Sequence, residues 1–223
     1  MGSTLNPAGM LQPSTLWGVH NNLLFVIQQA LANVQTATIV KVVACSNDGG
    51  VSPVGTVDVQ ILVNQVSGQM VGTPHVTMYG LPYLRVQGGA NAVILDPQPG
   101  DIGIAVFASR DITNVKSTKA QSNPGSFRTH DFGDGMYLGG LLNGSPSQFI
   151  QFNSSGITIV SPGTITLQAP NIVLNGALQQ TGGNGTMSQS LTVTGDVKGN
   201  GISLDSHVHG GVTSGGSDTG GPI

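Results

Sequence analysis

Residues 156–176 read GITIVSPGTITLQAPNIVLNG. Pairs of apolar residues recur along this stretch every seven or eight residues, with hydroxyl and amide side chains between or beside them: Ile157 and Ile159, Ile165 and Leu167, Ile172 and Leu174. Because successive side chains of a strand point to opposite faces, each short segment has one apolar side. The pattern predicts a repeat of small β-strands, which continues as SLTVTG at 190–195 and DVKGNGISLD at 196–205.

This repeat lies in a stretch, residues 135–195, that contains no charged residue. Strands this short bury too little surface for one chain to fold alone. Winding around identical chains would let each strand turn its apolar side to a shared axis, and uncharged side chains tolerate being brought together by symmetry. We therefore expect three chains in an intertwined β-helix. The alternative is a disordered linker, although disorder usually accompanies high charge and few β-branched residues.

The composition of the whole chain also favours β structure. Only 8% of the 223 residues are charged, every acidic residue is aspartate, and there are 34 glycines, whereas helical proteins rely on Glu and Lys. Residues 36–130 carry period-two segments separated by turn residues, namely TATIVKVVAC, GTVDVQILVN, PHVTMYGLPYLRVQ, NAVILDP and DIGIAVFASR. Five such strands predict an OB-like Greek-key barrel.

The N-terminal region differs from the rest. Residues 1–14 predict an extended arm, and residues 15–35 predict a helix capped by Ser14 or Thr15. Its apolar positions follow helical spacing: Leu16, Val19, Leu23, Val26, Ile27, Ala30, Leu31 and Val34. This face either packs on the chain's own next domain or docks on a partner, with Leu16, Leu23, Val26 and Ile27 as the contact residues.

The sequence thus predicts an all-β fold, in which an N-terminal helix and an OB-like barrel precede an intertwined trimeric β-helix with a metal-bound tip. The expected boundaries are 1–35 for the arm and helix, 36–130 for the barrel, 131–146 for a linker, 147–206 for the shaft and 207–223 for the metal-binding apex.

Charge and cysteine content limit the possible functions. The net charge of −3 and the lack of a basic cluster exclude nucleic acid as an expected ligand. Cys45 is the only cysteine, so no disulfide forms within the chain, and its strand-like context favours a buried apolar role. Without a signal-peptide pattern or a long apolar segment, we expect a soluble chain made in the cytoplasm.

Two histidines near the C-terminus, His207 and His209, form the one pattern with metal chemistry. In a strand, residues i and i+2 face the same side, so both imidazoles can reach one point. Two donors are too few, since zinc needs four and an octahedral ion six. His20, His75 and His130 are scattered in other segments.

Three-fold symmetry would supply six imidazole nitrogens, a set suited to Fe²⁺, Ni²⁺ or Co²⁺. Such a site is structural, because no position remains open for water or substrate.

The histidine pair has two other possible interpretations. The run LDSHVHGG also looks like the first-strand metal motif of amidohydrolases, but only 14 residues follow His209, and such a barrel needs about 200 more. The pair could instead lie in an exposed flexible tail, which predicts no bound metal.

The order of these segments resembles the phage baseplate assembly protein V family, the central membrane-piercing spikes of contractile tails, including its Gp138-like members. The resemblance covers about residue 36 to the C-terminus. Two motifs carry it. In the barrel run PGDIGIAVFASRDI the matching residues are Gly100, Asp101, Phe107, Arg110 and Asp111. In the apex run they are His207, His209, Gly210, Gly211, Thr219, Gly220 and Pro222.

This resemblance implies a homotrimer with one iron ion held by His207 and His209 of three chains. It also implies a virion protein at the tail baseplate tip, assembled on hub or tail tube proteins and crossing the host outer membrane mechanically, without enzymatic activity. The alternative is a trimeric receptor- or polysaccharide-binding tail protein. The absence of any carboxylate from residues 135–195 argues against glycoside cleavage there.

Overall fold

A computed structural model of the chain describes residues 19–66, 71–208, 211 and 215. The chain divides into two compact units, residues 1–163 and residues 164–223. Most of its regular structure is β, with few helices. No helix in the described ranges is long and apolar enough to cross a membrane.

The first unit is built on a five-stranded antiparallel sheet in the order β5-β2-β1-β8-β9. Its strands are β1 Ala37–Cys45, β2 Thr56–Ile61, β5 Met78–Pro82, β8 Ile102–Phe107 and β9 Gly135–Gly140. In β2 and β8 every second residue is buried, which is the alternation expected of a sheet with one face on a core. Four of these five strands lie where the sequence predicted strands.

The sheet curls until its two edge strands approach each other. Tyr83, just after β5, forms an isolated parallel bridge with Tyr137 of β9, and the Leu84 amide donates to the Tyr137 carbonyl over 2.8 Å. Apolar side chains from all five strands fill the concave side: Val40, Val42, Val57, Val59, Ile61, Met78, Leu81, Tyr83, Ala105, Phe107 and Tyr137. The predicted OB-like barrel is thus seen as a curled half-barrel.

The prediction of the fifth barrel strand was wrong. NAVILDP forms β7, Asn91–Val93, which pairs with β6, Val86–Gly88, as a separate hairpin. The fifth strand is β9, inside the segment expected to be a linker. Its glycines allow close packing, because a Cβ on Gly135 would press on Leu81 and Phe107. Cys45 is half-buried against the core and forms no disulfide.

Helix α1 spans Val19–Ala32, in agreement with the predicted helix, whose N-cap and arm lie outside the described residues. Its apolar side chains are exposed, with Leu23 57% and Leu31 62% accessible. The helix therefore does not pack on the half-barrel of this chain, and docking on a partner stays a prediction.

The other elements of this unit are short. They are β3 Gln65–Val66, β4 Gly72–Thr73, α2 Thr113–Thr118, a 3-10 helix at Phe132–Asp134, β10 Phe149–Asn153 and β11 Gly156–Val160. Strands β10 and β11 form an antiparallel hairpin, and β11 is the first strand of the predicted repeat.

In the second unit, residues 164–223, the described residues contain two strands, β12 Lys198–Gly199 and β13 Ile202–Ser203. The segments GTITL, NIVLNG and SLTVTG form no strand within this chain, because a strand needs a pairing partner. Their pairing with other copies stays a prediction.

Candidate metal-binding apex

The apex begins with the hairpin of β12 and β13, in which Lys198 pairs with Ser203 and Gly199 with Ile202. Asn200 and Gly201 form its two-residue loop with φ of 50° and 81°. Positive φ at both loop positions is what a type I′ turn requires, and Asn-Gly is its preferred sequence. The local sequence therefore favours this hairpin, and the histidine pair comes shortly after it in the chain.

A hydrogen-bond network closes the base of this hairpin. One carboxylate oxygen of Asp196 accepts from the Ser203 hydroxyl at 2.9 Å and from the Asp205 amide at 3.3 Å. The Ser203 hydroxyl oxygen accepts from the Ser206 amide at 3.0 Å. These bonds hold the turn after β13 and so determine where the chain enters the histidine pair.

His207 lies after this turn and outside β13, so in this chain the described half of the pair is not in a strand. Its Nδ1 lies 2.9 Å from the carbonyl oxygen of Ser203. A carbonyl oxygen only accepts, so Nδ1 carries the proton and the lone pair of the neutral ring is on Nε2. Metal-binding histidines commonly have this arrangement, in which a backbone carbonyl orients the ring and fixes its tautomer.

His209 lies outside the described residues. Within the described part of the chain, no three His, Cys, Asp or Glu side chains converge as a metal site would require. One chain thus offers Nε2 of His207 and, in sequence, His209 two residues later.

The other three histidines have contacts of their own in the first unit. The ring of His75 packs edge-on against Phe132 with 5.3 Å between centroids, and Nδ1 of His130 lies 3.1 Å from the carbonyl oxygen of Gln35. His20 is exposed on α1. These three histidines thus lie apart from the apex residues in sequence, and the two in the half-barrel contact Phe132 and the Gln35 carbonyl.

The barrel motif has structural roles. Gly100 adopts a φ of 102°, Asp101 accepts from the Gln98 amide at 2.8 Å, Phe107 is in the core, and Arg110 is exposed. Asp111 is buried and bonded to Arg128 at 3.0 Å.

Arg128, which sequence reasoning missed, links two carboxylates of the half-barrel. Its guanidinium also binds Asp134 at 2.7 and 2.8 Å. Hydrogen bonds from Thr113 and Ser126, with the nearby Arg128 charge, lower the pKa of Asp111 to about 2, and the guanidinium lowers the pKa of Asp134. Both carboxylates therefore stay ionised at neutral pH and anchor the loop between β8 and β9.

A second buried ion pair supports the half-barrel. Asp96 receives hydrogen bonds from Tyr83 at 2.6 Å and Arg85 at 2.7 Å, and these bonds lower the pKa of its carboxyl group. Both ion-pair clusters hold loops of the half-barrel, so they act as structural elements.

The C-terminal segment matches the family model for the GpV Apex motif over residues 201–222. No curated protein matches the chain significantly. The matched segment contains the described hairpin strand β13, His207 and the position of His209. The match supports the resemblance to phage baseplate assembly protein V spikes, and it implies a structural, tail-related protein of the phage virion.

Proposed function

We propose that this chain is the central spike at the tip of a contractile phage tail, a homotrimer that pierces the host cell envelope. The observation that carries the proposal is the GpV Apex match over residues 201–222, together with the orientation of His207 by the Ser203 carbonyl. The role is mechanical: the half-barrel is the collar on the baseplate hub or tail tube, residues 147–206 form the shaft, and 207–223 form the point.

The hairpin of β10 and β11 supports the trimer. Ile150 pairs with Ile159, and Phe152 with Ile157, so all four side chains share one face. All four are more than half exposed, with Phe152 at 74%. A two-stranded hairpin with a bare apolar face is not stable alone. Copies of the same hairpin around a three-fold axis would cover this face.

The histidine pair supports a metal at the point. Metal binding is associated with the apex motif in general terms, and the Nδ1–H tautomer of His207 leaves Nε2 as the ligating atom. In the trimer, His207 and His209 of three chains would provide six nitrogen donors for one iron ion. The metal, when bound, supplies a cross-link between the three chain ends, which would otherwise fray.

The second candidate function is a trimeric tail protein that binds a receptor or polysaccharide. It would use the same trimeric shaft, so oligomeric state does not separate the two. Adsorption assays separate the two functions, because a purified receptor binder would compete with phage for host cells whereas a spike would not.

The test combines solution mass with metal analysis of protein purified without a metal-affinity tag. Light scattering is expected to give three times the 22.7 kDa chain mass, and elemental analysis about one iron per trimer. Replacing both His207→Ala and His209→Ala should abolish the metal and leave the trimer. His20→Ala is the matched control, since that histidine is exposed on α1.

Metal retention should also depend on pH. Imidazole must be neutral to bind, so metal is expected to leave on acidification. A stable monomer would refute the spike, and a trimer that contains no stoichiometric metal, or a double variant that keeps it, would refute the apex site alone.

A further inference from the structure

Helix α1 has a wide apolar face that nothing in the described part of the chain covers. At 100° per residue, its large apolar residues other than Phe25 occupy an arc of about 160°, which also includes His20. They are Val19, Leu23, Leu24, Val26, Ile27 and Leu31, between 43% and 87% exposed. The opposite side carries Gln28, Gln29 and Ala32 together with Phe25, which is partly buried.

The helix carries no charge on any side, because residues 19–32 contain no Asp, Glu, Lys or Arg. A surface that docks on a different protein usually has a charged rim that sets register and partner choice. A charge-free helix is instead suited to lie beside copies of itself, because a symmetry axis would place any charge next to its like.

The end of α1 is fixed to one end of the half-barrel. Beyond the helix, the Gln35 carbonyl contacts His130, and the Thr36 carbonyl accepts from the Phe107 amide at 2.9 Å. Phe107 is the last residue of β8 and pairs with Gly135, the first of β9. The base of α1 is therefore at the end of the sheet where β8 finishes.

The chain leaves the half-barrel toward the shaft at the other end. Gly140, the last residue of β9, pairs with Gly103 near the start of β8, and the Leu141 amide donates to the Ile102 carbonyl. Four residue steps along β8 separate Gly103 from Phe107, about 13 Å. Helix α1 and the chain that follows β9 thus leave the half-barrel at opposite ends of the sheet.

We propose that α1 packs with the α1 helices of two other copies as a parallel three-helix bundle on the trimer axis, at the end of the collar away from the shaft. This inference rests on the proposed trimer. The width of the arc favours three helices, because a helix in such a bundle touches two neighbours, whereas a two-stranded coil needs only a narrow seam.

The area of the face limits what the bundle does. A 14-residue helix is about 21 Å long, and a 160° face on it covers about 300 Å². Each partner of a stable interface usually buries about 800 Å². The bundle therefore cannot hold the trimer alone, and substitutions in it should free α1 without dissociating the chains.

Cysteine cross-linking of the full chain tests the bundle. In a Cys45→Ala background, Leu23→Cys places the sole thiol near the middle of the apolar arc. Ala32→Cys places it nine residues later, on the opposite side of the helix. Mild oxidation of the purified trimer should join two of every three chains through Leu23→Cys and few through Ala32→Cys. Ile27→Cys repeats the test one turn along.

Light scattering before oxidation separates the helix-bundle hypothesis from the trimer hypothesis on which it rests. A monomer overturns both the bundle and the trimer. A trimer in which Leu23→Cys and Ile27→Cys fail to cross-link, or in which Ala32→Cys cross-links equally well, overturns the bundle and leaves the trimer standing. Preferential cross-linking at both arc positions in protein free of other phage components supports self-association over docking on a tail protein.

Discussion

Replacing Tyr137 with phenylalanine should stabilise the half-barrel. The Tyr137 side chain is 1% exposed, and its hydroxyl has no hydrogen-bond partner among the described residues. Burial raises the pKa of this phenol, so it is neutral, and the unbonded group is a hydroxyl that has lost its hydration on folding. Phenylalanine keeps the ring in place and removes that hydroxyl.

The size of the effect follows from the cost of an unsatisfied buried polar group, about 1–3 kcal/mol. Tyr137→Phe should raise the free energy of unfolding by up to this amount. For a chain of this length each kcal/mol shifts the melting temperature by about 2–4 °C. We therefore expect a rise of several degrees in thermal unfolding followed by circular dichroism, with a higher urea midpoint and an unchanged slope.

Tyr83→Phe is the matched control. Tyr83 is also buried, but its hydroxyl donates to Asp96 at 2.6 Å and accepts from Arg85 at 3.2 Å. Removing this hydroxyl should lower stability by about 1–3 kcal/mol, because Asp96 loses a donor. If Tyr137→Phe lowers the melting temperature as Tyr83→Phe does, the Tyr137 hydroxyl is bonded and the reasoning fails.

Three further predictions concern the collar and the shaft. Gly103→Ala should destabilise the half-barrel strongly, because a Cβ there would overlap a backbone carbonyl and a buried ring. The control is Gly88→Ala, whose Cβ would meet nothing within 4 Å. The urea midpoints of the two variants are compared. The pKa of Asp111 is lowered to about 2, so its stabilising contribution is complete above about pH 4 and disappears between about pH 4 and pH 2. Asp111→Asn should therefore flatten the dependence of the unfolding free energy on pH in this range. Ile159→Asp should dissociate the trimer, whereas Thr158→Asp, on the other face of β11, should not. Light scattering measures the mass of each variant in solution.

Two of the four barrel strands that the sequence predicted show a strict alternation in burial, and the other two, β1 and β5, follow it only in part. β2 and β8 bury every second residue, and that two-residue period is visible in TVDVQI and IGIAVF. The half-barrel core could therefore be derived from pattern alone. The same reasoning placed NAVILDP in the barrel, because apolar composition does not reveal which partner a strand will choose.

The sequence did not predict β9, and the reason is physical. GMYLGG contains three glycines, and glycine usually weakens a strand prediction. Here its small size is needed, since a Cβ on Gly135 would press on Leu81 and Phe107. Close approach between two elements depends on the tertiary fold, which the local pattern does not encode.

At the apex, the sequence identified the histidine pair but not what orients it. Asn200 and Gly201 were expected only as part of the strand repeat, although Asn-Gly is the preferred sequence of a type I′ turn. The Ser203 carbonyl that contacts His207 is a backbone atom, which any residue would supply. The Asp196 network that holds the turn after β13 is equally invisible in the sequence, because it joins residues through hydrogen bonds of no fixed spacing.

The repeat in residues 164–197 favours a fold that is completed by other copies of the chain. The repeat pairs, Ile165 with Leu167 and Ile172 with Leu174, are each at least half exposed, although the uncharged segments around them have the strand-like alternation of a core. Exposing so many regularly spaced apolar side chains costs about 25 cal/mol for each Å² that burial would remove from water. No strand within residues 164–197 pairs to cover them. We expect an uncharged sequence with this pattern to form its hydrophobic core between chains. The three-fold axis that would relate these chains would also bring their histidine pairs together at the tip.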